Sequence, residues 1–244
     1  GAAADSTAAL AFGGLATTHR GETESWNGSS WTEVNDLNTA RGYGWGVGTS
    51  TAALLVSGWH TSAVRANVEQ WDGSSWTEIA DVNTARYVLA AAGTTSNAVA
   101  FGGAPVTGAT ELWNGSSWTE LNDLNTGRSS LAGLGTYTAA LAISGNPNRA
   151  ITEQWNGTSW AETADLSTGR EDLGSTGTTT SGIAFGGNPF RAATEEWASD
   201  IAQGAWATST AMNTNRRSIG SAVSGTQTAA LGFGGGNPSA IANT

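Results

Sequence analysis

The chain has 244 residues, a formal net charge of −10, no cysteine and no lysine. Affinity for nucleic acid depends on clustered basic residues, and the ten arginines are spread along the chain. We therefore expect neither a nucleic-acid partner nor an anionic membrane surface. No apolar run reaches the ~18–20 residues that a transmembrane helix needs, so we expect no membrane insertion. The absence of cysteine excludes disulfide bonds and thiolate catalysis.

The first predicted element is a buried strand at residues 6–14, which ends in a double glycine. A loop of variable sequence follows, and then a strand that ends in Glu-x-Trp at Glu24 and Trp26. Residues 26–31 spell Trp-Asn-Gly-Ser-Ser-Trp, and an Asn-Gly pair between alternating apolar segments predicts a hairpin with a type I′ turn. The strand that leaves the hairpin is followed by a linker ending in Arg41, and then by a strand rich in small residues.

Each of these elements returns along the chain. The leading tryptophans of the hairpins are 45, 42, 42 and 42 residues apart, and a period of this size indicates a repeat architecture. No segment has helical periodicity, so we predict no helix. The double-glycine strand recurs at residues 50–58, 96–103, 138–145, 180–187 and 228–235. The Glu-x-Trp glutamates are Glu24, Glu69, Glu111, Glu153 and Glu195, and the linker arginines are Arg41, Arg86, Arg128, Arg170 and Arg216.

An arginine, a short apolar run, a double glycine (Ser-Gly in two units) and a spaced tryptophan recur from unit to unit, and this pattern resembles the kelch repeat. The resemblance implies an all-β fold, a β-propeller of four-stranded antiparallel kelch-like blades. It covers nearly the whole chain, so we predict a single domain over residues 1–244. The small residues after each arginine suit the crowded ring axis, and the tryptophans suit the space between neighbouring blades.

The number of blades has two interpretations. The double-glycine strand occurs six times, whereas the other three strand types occur five times. The five visible repeats form either a five-bladed ring or part of a six- or seven-bladed ring that is cut in mid-repeat. We favour the second interpretation, because the sequence stops just before an expected Glu-x-Trp.

Residues that could carry chemistry are scarce. His19 and His60 lie in equivalent loops one repeat apart, but a metal site usually needs three or four convergent ligands, so we predict no metal site and no cofactor. No Ser-His-Asp set stands out, and we expect no catalytic residues and no enzymatic activity. The carboxylate rows at the Glu24, Glu33 and Asp36 positions indicate either calcium or sugar binding at each blade or, as we favour, a structural ladder that pairs with the linker arginines and caps turns.

The loops that join the second and third strands of each unit differ in length and content. They cover residues 15–21, 59–65, 104–108, 146–149 and 188–191, and in a propeller they leave the blades on one face. Function tends to sit on loops displayed by a rigid scaffold, and Trp and Arg are enriched at binding hot spots. We therefore predict partner binding on this face, the alternative being that nothing constrains these loops. The candidate partner-binding residues are Trp59, His60, Phe190, Arg20, Arg65, Arg149 and Arg191.

The composition of the units suggests a biological setting. Near-identical units, poor in lysine and rich in Gly, Thr and Ala, are similar to the kelch-like repeats of virion fibre and appendage proteins of marine bacteriophages. This resemblance implies a structural or adhesive module on a virion or at a cell surface. Its partner would be a protein or a surface glycan, with self-assembly between sister subunits as a further expectation. The alternative is a propeller lectin, because fucose-binding propeller lectins use Arg, Glu and Trp in each blade, although we expect these repeated positions to be internal here.

Overall fold

The computed structural model describes residues 2–4, 7–189, 191–199, 204–221 and 232–236, with the backbone alone for residues 2–4. This part of the chain contains no helix, and hence none long and apolar enough to cross a membrane. Its strands are β1 (Ala2–Ala4), β2 (Ala9–Leu15), β3 (His19–Trp26), β4 (Trp31–Val34), β5 (Trp45–Thr49), β6 (Ala52–His60), β7 (Ala63–Trp71), β8 (Trp76–Ile79), β9 (Ala90–Gly93), β10 (Ala98–Phe101), β11 (Thr110–Trp113), β12 (Trp118–Glu120), β13 (Ala132–Thr136), β14 (Ala139–Gly145), β15 (Arg149–Trp155), β16 (Trp160–Glu162), β17 (Gly174–Gly177), β18 (Ser181–Phe185), β19 (Thr194–Ala198), β20 (Ala205–Ser209), β21 (Gly220–Ser221) and β22 (Gly232–Phe233).

The first twenty strands form five sheets of four strands each, and all neighbouring strands in these sheets are antiparallel. The strands of each sheet follow chain order, so blades 1 to 5 are β1–β4, β5–β8, β9–β12, β13–β16 and β17–β20. The first strands of successive blades contact one another, which places them around a common axis. The predicted all-β propeller of four-stranded antiparallel blades is confirmed.

A smaller sheet of two described strands, β21 and β22, lies between blade 5 and blade 1. β21 contacts β17 on one side and β1 on the other, so the ring of inner strands closes through it. Phe233 on β22 packs against Trp31 of blade 1 with ring centroids 5.2 Å apart, just as Phe12 of blade 1 packs against Trp76 of blade 2 at 4.8 Å. This pair of strands, the sixth sheet, therefore occupies a sixth position in the ring.

The hydrophobic core lies between neighbouring blades, where we expected the tryptophans. One cluster joins Leu54 and Val56 of blade 2 to Trp113 and Trp118 of blade 3. The two tryptophans of each hairpin tilt against each other with ring centroids 5.2–5.5 Å apart. Each aromatic side chain removes roughly 150–250 Å² from water, so these interfaces hold the blades together.

The inner strands need small residues, as predicted. A Cβ atom added to Gly174 would lie only 2.6 Å from the ring of Phe185 on the neighbouring strand. Ala90 and Ala132 occupy the equivalent positions in blades 3 and 4 and are fully buried. The crowding of the first strands against their neighbours explains the composition of the segment after each linker arginine.

The Asn-Gly hairpins form, but the predicted type I′ turn is wrong. Trp26 pairs with Trp31, so the loop has four residues, and Gly28 has a φ of +94° whereas Asn27 is not among the residues with positive φ. The Asn27 side chain explains the difference, because its Oδ1 accepts hydrogen bonds from the backbone N–H groups of the next two serines at 3.0 Å each. The same side-chain bonds close the loops at Asp72, Asn114 and Asn156.

Three of the predicted connections between second and third strands are too wide. The loops expected at residues 15–21, 59–65 and 146–149 shrink to residues 16–18, 61–62 and 146–148. Strand pairing resumes beyond a bulge that follows Phe12 in blade 1 and Val56 in blade 2. The second and third strands of these blades therefore project as extended hairpins.

Candidate functional site

The linkers between blades bring five residues to one end of the ring axis. Each lies two positions after a linker arginine and has a positive φ of 47–61°: Tyr43, Val88, Ser130, Asp172 and Ser218. The N–H of each of the last four donates to the carbonyl of the member before it at 2.7–2.9 Å, so the five form a belt of hydrogen bonds. This belt, called the mouth, lies on the face where the second and third strands are connected, because the neighbouring Gly42 bridges to Trp59.

A cavity of about 730 Å³ adjoins the mouth. Its lining includes Tyr43 and Asp172 of the belt, together with Trp45 and Arg217. Trp45 is an exception to the small residues of the first strands, and it packs against core clusters from three blade interfaces. Its indole N–H is buried and has no hydrogen-bond partner among the described residues. The cavity thus combines an aromatic surface, a carboxylate and a guanidinium.

The rim of the mouth is aromatic on the side of blades 2 and 3. Trp59 contacts Tyr87 with ring centroids 5.0 Å apart, and Tyr87 contacts Tyr43 at 6.3 Å. The indole N–H of Trp59 donates to the carbonyl of Thr61 at 3.0 Å, which fixes the orientation of the ring. Tyr43 is 46% exposed. Aromatic side chains held in one orientation lose little conformational entropy when a partner packs on them.

The rim is polar and charged on the side of blades 4 and 5. Glu171 accepts hydrogen bonds from the side-chain amides of Asn146 at 2.6 Å and Asn188 at 2.8 Å, and Arg217 donates to Asn188 Oδ1 at 3.4 Å. Burial raises the pKa of Asp172 above its ordinary value, and the negative charge of Glu171 also raises it. A hydrogen bond from the Ser130 hydroxyl and the positive charge of Arg217 act in the opposite direction. A partner on this side would meet both acidic and basic groups.

The predicted partner-binding residues are only partly gathered. Trp59 belongs to the aromatic rim, and His60 lies beside His19 with ring centroids 5.5 Å apart, next to the junction of blades 1 and 2. Phe190 lies outside the described residues. The four arginines lie on blades 1, 2, 4 and 5, one to each, so the fold does not bring them together: Arg20, Arg65, Arg149 and Arg191.

Five residues of the site were missed by sequence reasoning. All of them lie in the two positions that directly follow a linker arginine: Tyr43, Tyr87, Glu171, Asp172 and Arg217. The arginine is the same in every unit, whereas these two positions vary between aromatic, hydroxyl, acidic and basic residues. A variable position beside a constant one was the sequence signal that could have identified these site residues.

The repeated charges, in contrast, are buried and pair with each other. Arg86 Nη2 lies 2.9 Å from Glu111 Oε1 of the next blade, and both side chains are at most 1% exposed. Burial lowers the pKa of the Arg86 guanidinium, and the charge of Glu111 opposes this. The predicted structural ladder is confirmed for Arg41 with Glu69, Arg86 with Glu111, Arg128 with Glu153, and Arg170 with Glu195.

The fifth glutamate of the ladder and the other carboxylate rows behave differently. Glu24 is exposed, and no described residue forms an ion pair with it. Glu33 is exposed as well, whereas Asp36 accepts a hydrogen bond from the backbone N–H of Thr23 at 3.3 Å and so fixes the linker to the sheet. Pairing with arginine therefore applies to the Glu24 row, whereas in the Asp36 row Asp36 and Asp165 bind backbone N–H groups instead.

Within the described residues, no three His, Cys, Asp or Glu side chains form a group that could hold a metal ion. The absence of cofactor and of enzymatic activity stays a prediction. No family model matches the chain, and no curated protein matches it. The propeller architecture is therefore established by the structure, and the kelch repeat remains a resemblance.

Proposed function

We propose that this protein is a non-enzymatic binding module whose partner docks on the rim of the mouth. The observation that carries the proposal is the gathering of residues that depart from the repeat. Tyr43, Trp59 and Tyr87 form one half of the rim, and Glu171 and Arg217 contribute to the other. Trp, Tyr and Arg are the residues most enriched at binding hot spots.

The burial of the repeated residues also supports the rim of the mouth as the binding surface. The hairpin tryptophans fill the interfaces between blades, and four linker arginines form ion pairs with buried glutamates. A partner on this face would meet residues that differ from blade to blade. Such a surface fits one partner in one orientation, with apolar contact at blades 2 and 3 and hydrogen bonds at blades 4 and 5.

We further propose that the module belongs to a virion appendage or a cell-surface structure. The support is the resemblance of the units to kelch-like repeats of bacteriophage fibre proteins, together with the acidic, lysine-free composition. In this setting the partner is a sister subunit or another protein at a surface.

A glycan is the second candidate partner, and the cavity favours it. Its volume of about 730 Å³ falls within the range of small-molecule sites, roughly 300–1,000 Å³. Trp45 offers an aromatic surface there, and Asp172 offers an acceptor. Such a lectin would have one central site, because the repeated Arg, Glu and Trp residues are buried.

The test compares the wild type with the double variant Tyr43→Ala/Trp59→Ala. Labelled protein is applied to a printed glycan array and to intact cells of a panel of marine bacteria. The matched control is Tyr137→Ala, since Tyr137 is 37% exposed and lies in the turn between β13 and β14, on the opposite face. Melting temperatures of the three proteins are measured alongside.

We expect the wild type and the control to adsorb to cells and the double variant to lose at least about tenfold in affinity, which corresponds to about 1.4 kcal/mol. Binding to defined glycans that is lost in the same variant would select the lectin. Full adsorption by the double variant, with unchanged melting temperature, would refute the proposed surface.

A further inference from the structure

The hairpins that project from blades 1 and 2 contact each other through two histidines. His19 is the first residue of β3, and His60 is the last residue of β6. Their rings are tilted by 56°, with centroids 5.5 Å apart. The backbone N–H of Thr61 donates a hydrogen bond to His19 Nδ1 at 3.2 Å. A side chain of blade 1 therefore holds the turn at the end of the blade 2 hairpin.

Thr61 connects this contact to the aromatic rim of the mouth. Its carbonyl accepts the hydrogen bond from the indole N–H of Trp59 at 3.0 Å. Thr61 has a φ of +53°, which is unfavourable for a β-branched residue, so the turn depends on the contacts that hold it. The backbone of Trp59 is held separately, because it exchanges hydrogen bonds with Gly42 at 2.8 and 3.0 Å. Thr61 therefore controls the orientation of the indole ring rather than the position of the strand.

The hydrogen bond from Thr61 requires His19 without a proton on Nδ1. A neutral imidazole has one acceptor nitrogen and one donor nitrogen, so here Nδ1 accepts and Nε2 carries the proton. A second proton makes both nitrogens donors, and the N–H of Thr61 would then face another N–H. A metal ion shared by the two histidines meets the same obstacle, because coordination through His19 Nε2 moves the proton to Nδ1. The geometry therefore favours a response to protons over a metal site.

Positive groups lie on the blade 2 side of this contact. His60 faces His19, and Arg65 is the diagonal neighbour of His60 on the same face of the β6–β7 hairpin. β2 has no charged residue. The nearby charged side chains of β3 and of the linker are paired with each other or with a buried glutamate: Arg20 with Glu22 at 2.9 Å, and Arg41 with Glu69. A proton on His19 therefore adds a positive charge opposite His60 and Arg65, so the two hairpins repel each other at low pH.

We propose that His19 is a positioning residue for the rim of the mouth, and that its protonation weakens partner binding by releasing Thr61 and the indole of Trp59. This proposal rests on the proposed function, in which Trp59 contacts the partner. Histidine is the side chain whose charge ordinarily changes between about pH 5 and pH 8. A partner that binds the ordered indole favours unprotonated His19, so by linkage its affinity falls as the pH falls through this range.

The first experiment needs no partner. The indole N–H signal of Trp59 is followed by ¹H–¹⁵N NMR from about pH 7.5 to about pH 5, and Trp59→Phe identifies it. We expect the wild-type signal to move with pH along a one-proton curve. The indole of Trp71 is the internal reference and should not titrate, since it donates to the carbonyl of Ser50 at 3.1 Å in the turn between β5 and β6, on the opposite face.

Three variants separate the acceptor from the charge. In His19→Asn the Trp59 signal should stay at its neutral position at every pH, because asparagine has an oxygen acceptor on Cγ, where histidine has Nδ1, and does not titrate. In His19→Ala the acceptor is lost, so the signal should stay at its acidic position. His60→Gln is the matched control, because it removes the other imidazole and should leave the titration in place.

The second experiment measures adsorption to the bacterial strain or printed glycan that the wild type binds at about pH 7.5. We expect the wild type to lose at least about fivefold in affinity at about pH 5.5, and His19→Asn to bind equally at both pH values.

Three outcomes would overturn the proposal. They are a Trp59 signal that does not titrate, a titration that persists in His19→Asn, and an equal loss of adsorption at low pH in the wild type and in His19→Asn. A wild type that adsorbs to no strain or glycan would count against the rim as a binding surface, whereas the NMR titration still decides whether His19 positions Trp59. The two proposals can therefore fail separately.

Discussion

Replacing Glu153 with glutamine should destabilise the protein far more than the same change at Glu24, although both occupy one position of the repeat. Glu153 accepts hydrogen bonds from the backbone and side chain of Asn125 and from Arg128, and it is 1% exposed. A glutamine keeps one acceptor and turns an N–H₂ group towards donors, and it leaves the Arg128 charge buried without a counter-charge. Breaking a buried ion pair costs about 3–5 kcal/mol, a large part of the roughly 5–15 kcal/mol that stabilises a typical domain.

The matched variants are Glu24→Gln and Glu162→Gln, both at exposed positions. Substitutions at such positions usually change the free energy of unfolding by less than about 0.5 kcal/mol. Urea denaturation followed by tryptophan fluorescence and by circular dichroism measures all three. A difference below about 1 kcal/mol between Glu153→Gln and Glu24→Gln would refute the claim that burial gives the ladder its stabilising effect.

Two further predictions concern the hairpin loops. Gly115→Val should lower the free energy of unfolding by about 1–3 kcal/mol, because Gly115 has a φ of +94° that a β-branched residue resists, whereas Thr119→Val on the exposed side of β12 should change it little in the same denaturation experiment. Hydrogen bonds from Ser75 and Ser74 lower the pKa of Asp72 to about 2. The ionised Asp72 side chain therefore stabilises the folded protein fully above its ordinary pKa of 3.8, and this stabilisation is lost as the pH falls through about 2. Asp72→Asn should therefore melt with a weaker pH dependence than the wild type between pH 4 and pH 2; parallel melting curves would contradict this.

The architecture was predictable because each unit contains residues that mark where its strands end and its turns begin. The double glycine ends one strand, and the Asn-Gly loop reverses the chain between two tryptophans, so the strands could be predicted from the period. Their arrangement into four-stranded blades was implied by the resemblance to the kelch repeat. The ladder was predictable for a related reason. Arg128 and Glu153 recur with every unit, and a charge that recurs inside a fold needs a recurring partner.

Other features depend on backbone geometry that no residue pattern marks. The Asn27 side chain closes a four-residue loop by its own hydrogen bonds in place of the two-residue type I′ turn, and an Asn-Gly pair is compatible with both. The bulge after Val56 lets β6 continue to His60, although Ser57 and Gly58 resemble the end of a strand. The belt at the mouth arises from positive φ angles at residues as different as Val88 and Asp172, so side-chain type does not reveal it.

The axis of a ring is the one place where a repeat cannot use a large side chain in every unit. Trp45 contacts clusters from three blade interfaces, so it occupies volume that all the inner strands share. A tryptophan at Ala132 as well would compete for the same space, and Ala132 is already fully buried. Packing on the axis therefore requires one unit to differ from the others. A binding site that adjoins the axis is asymmetric for the same reason, and its residues lie where a single unit departs from the repeat.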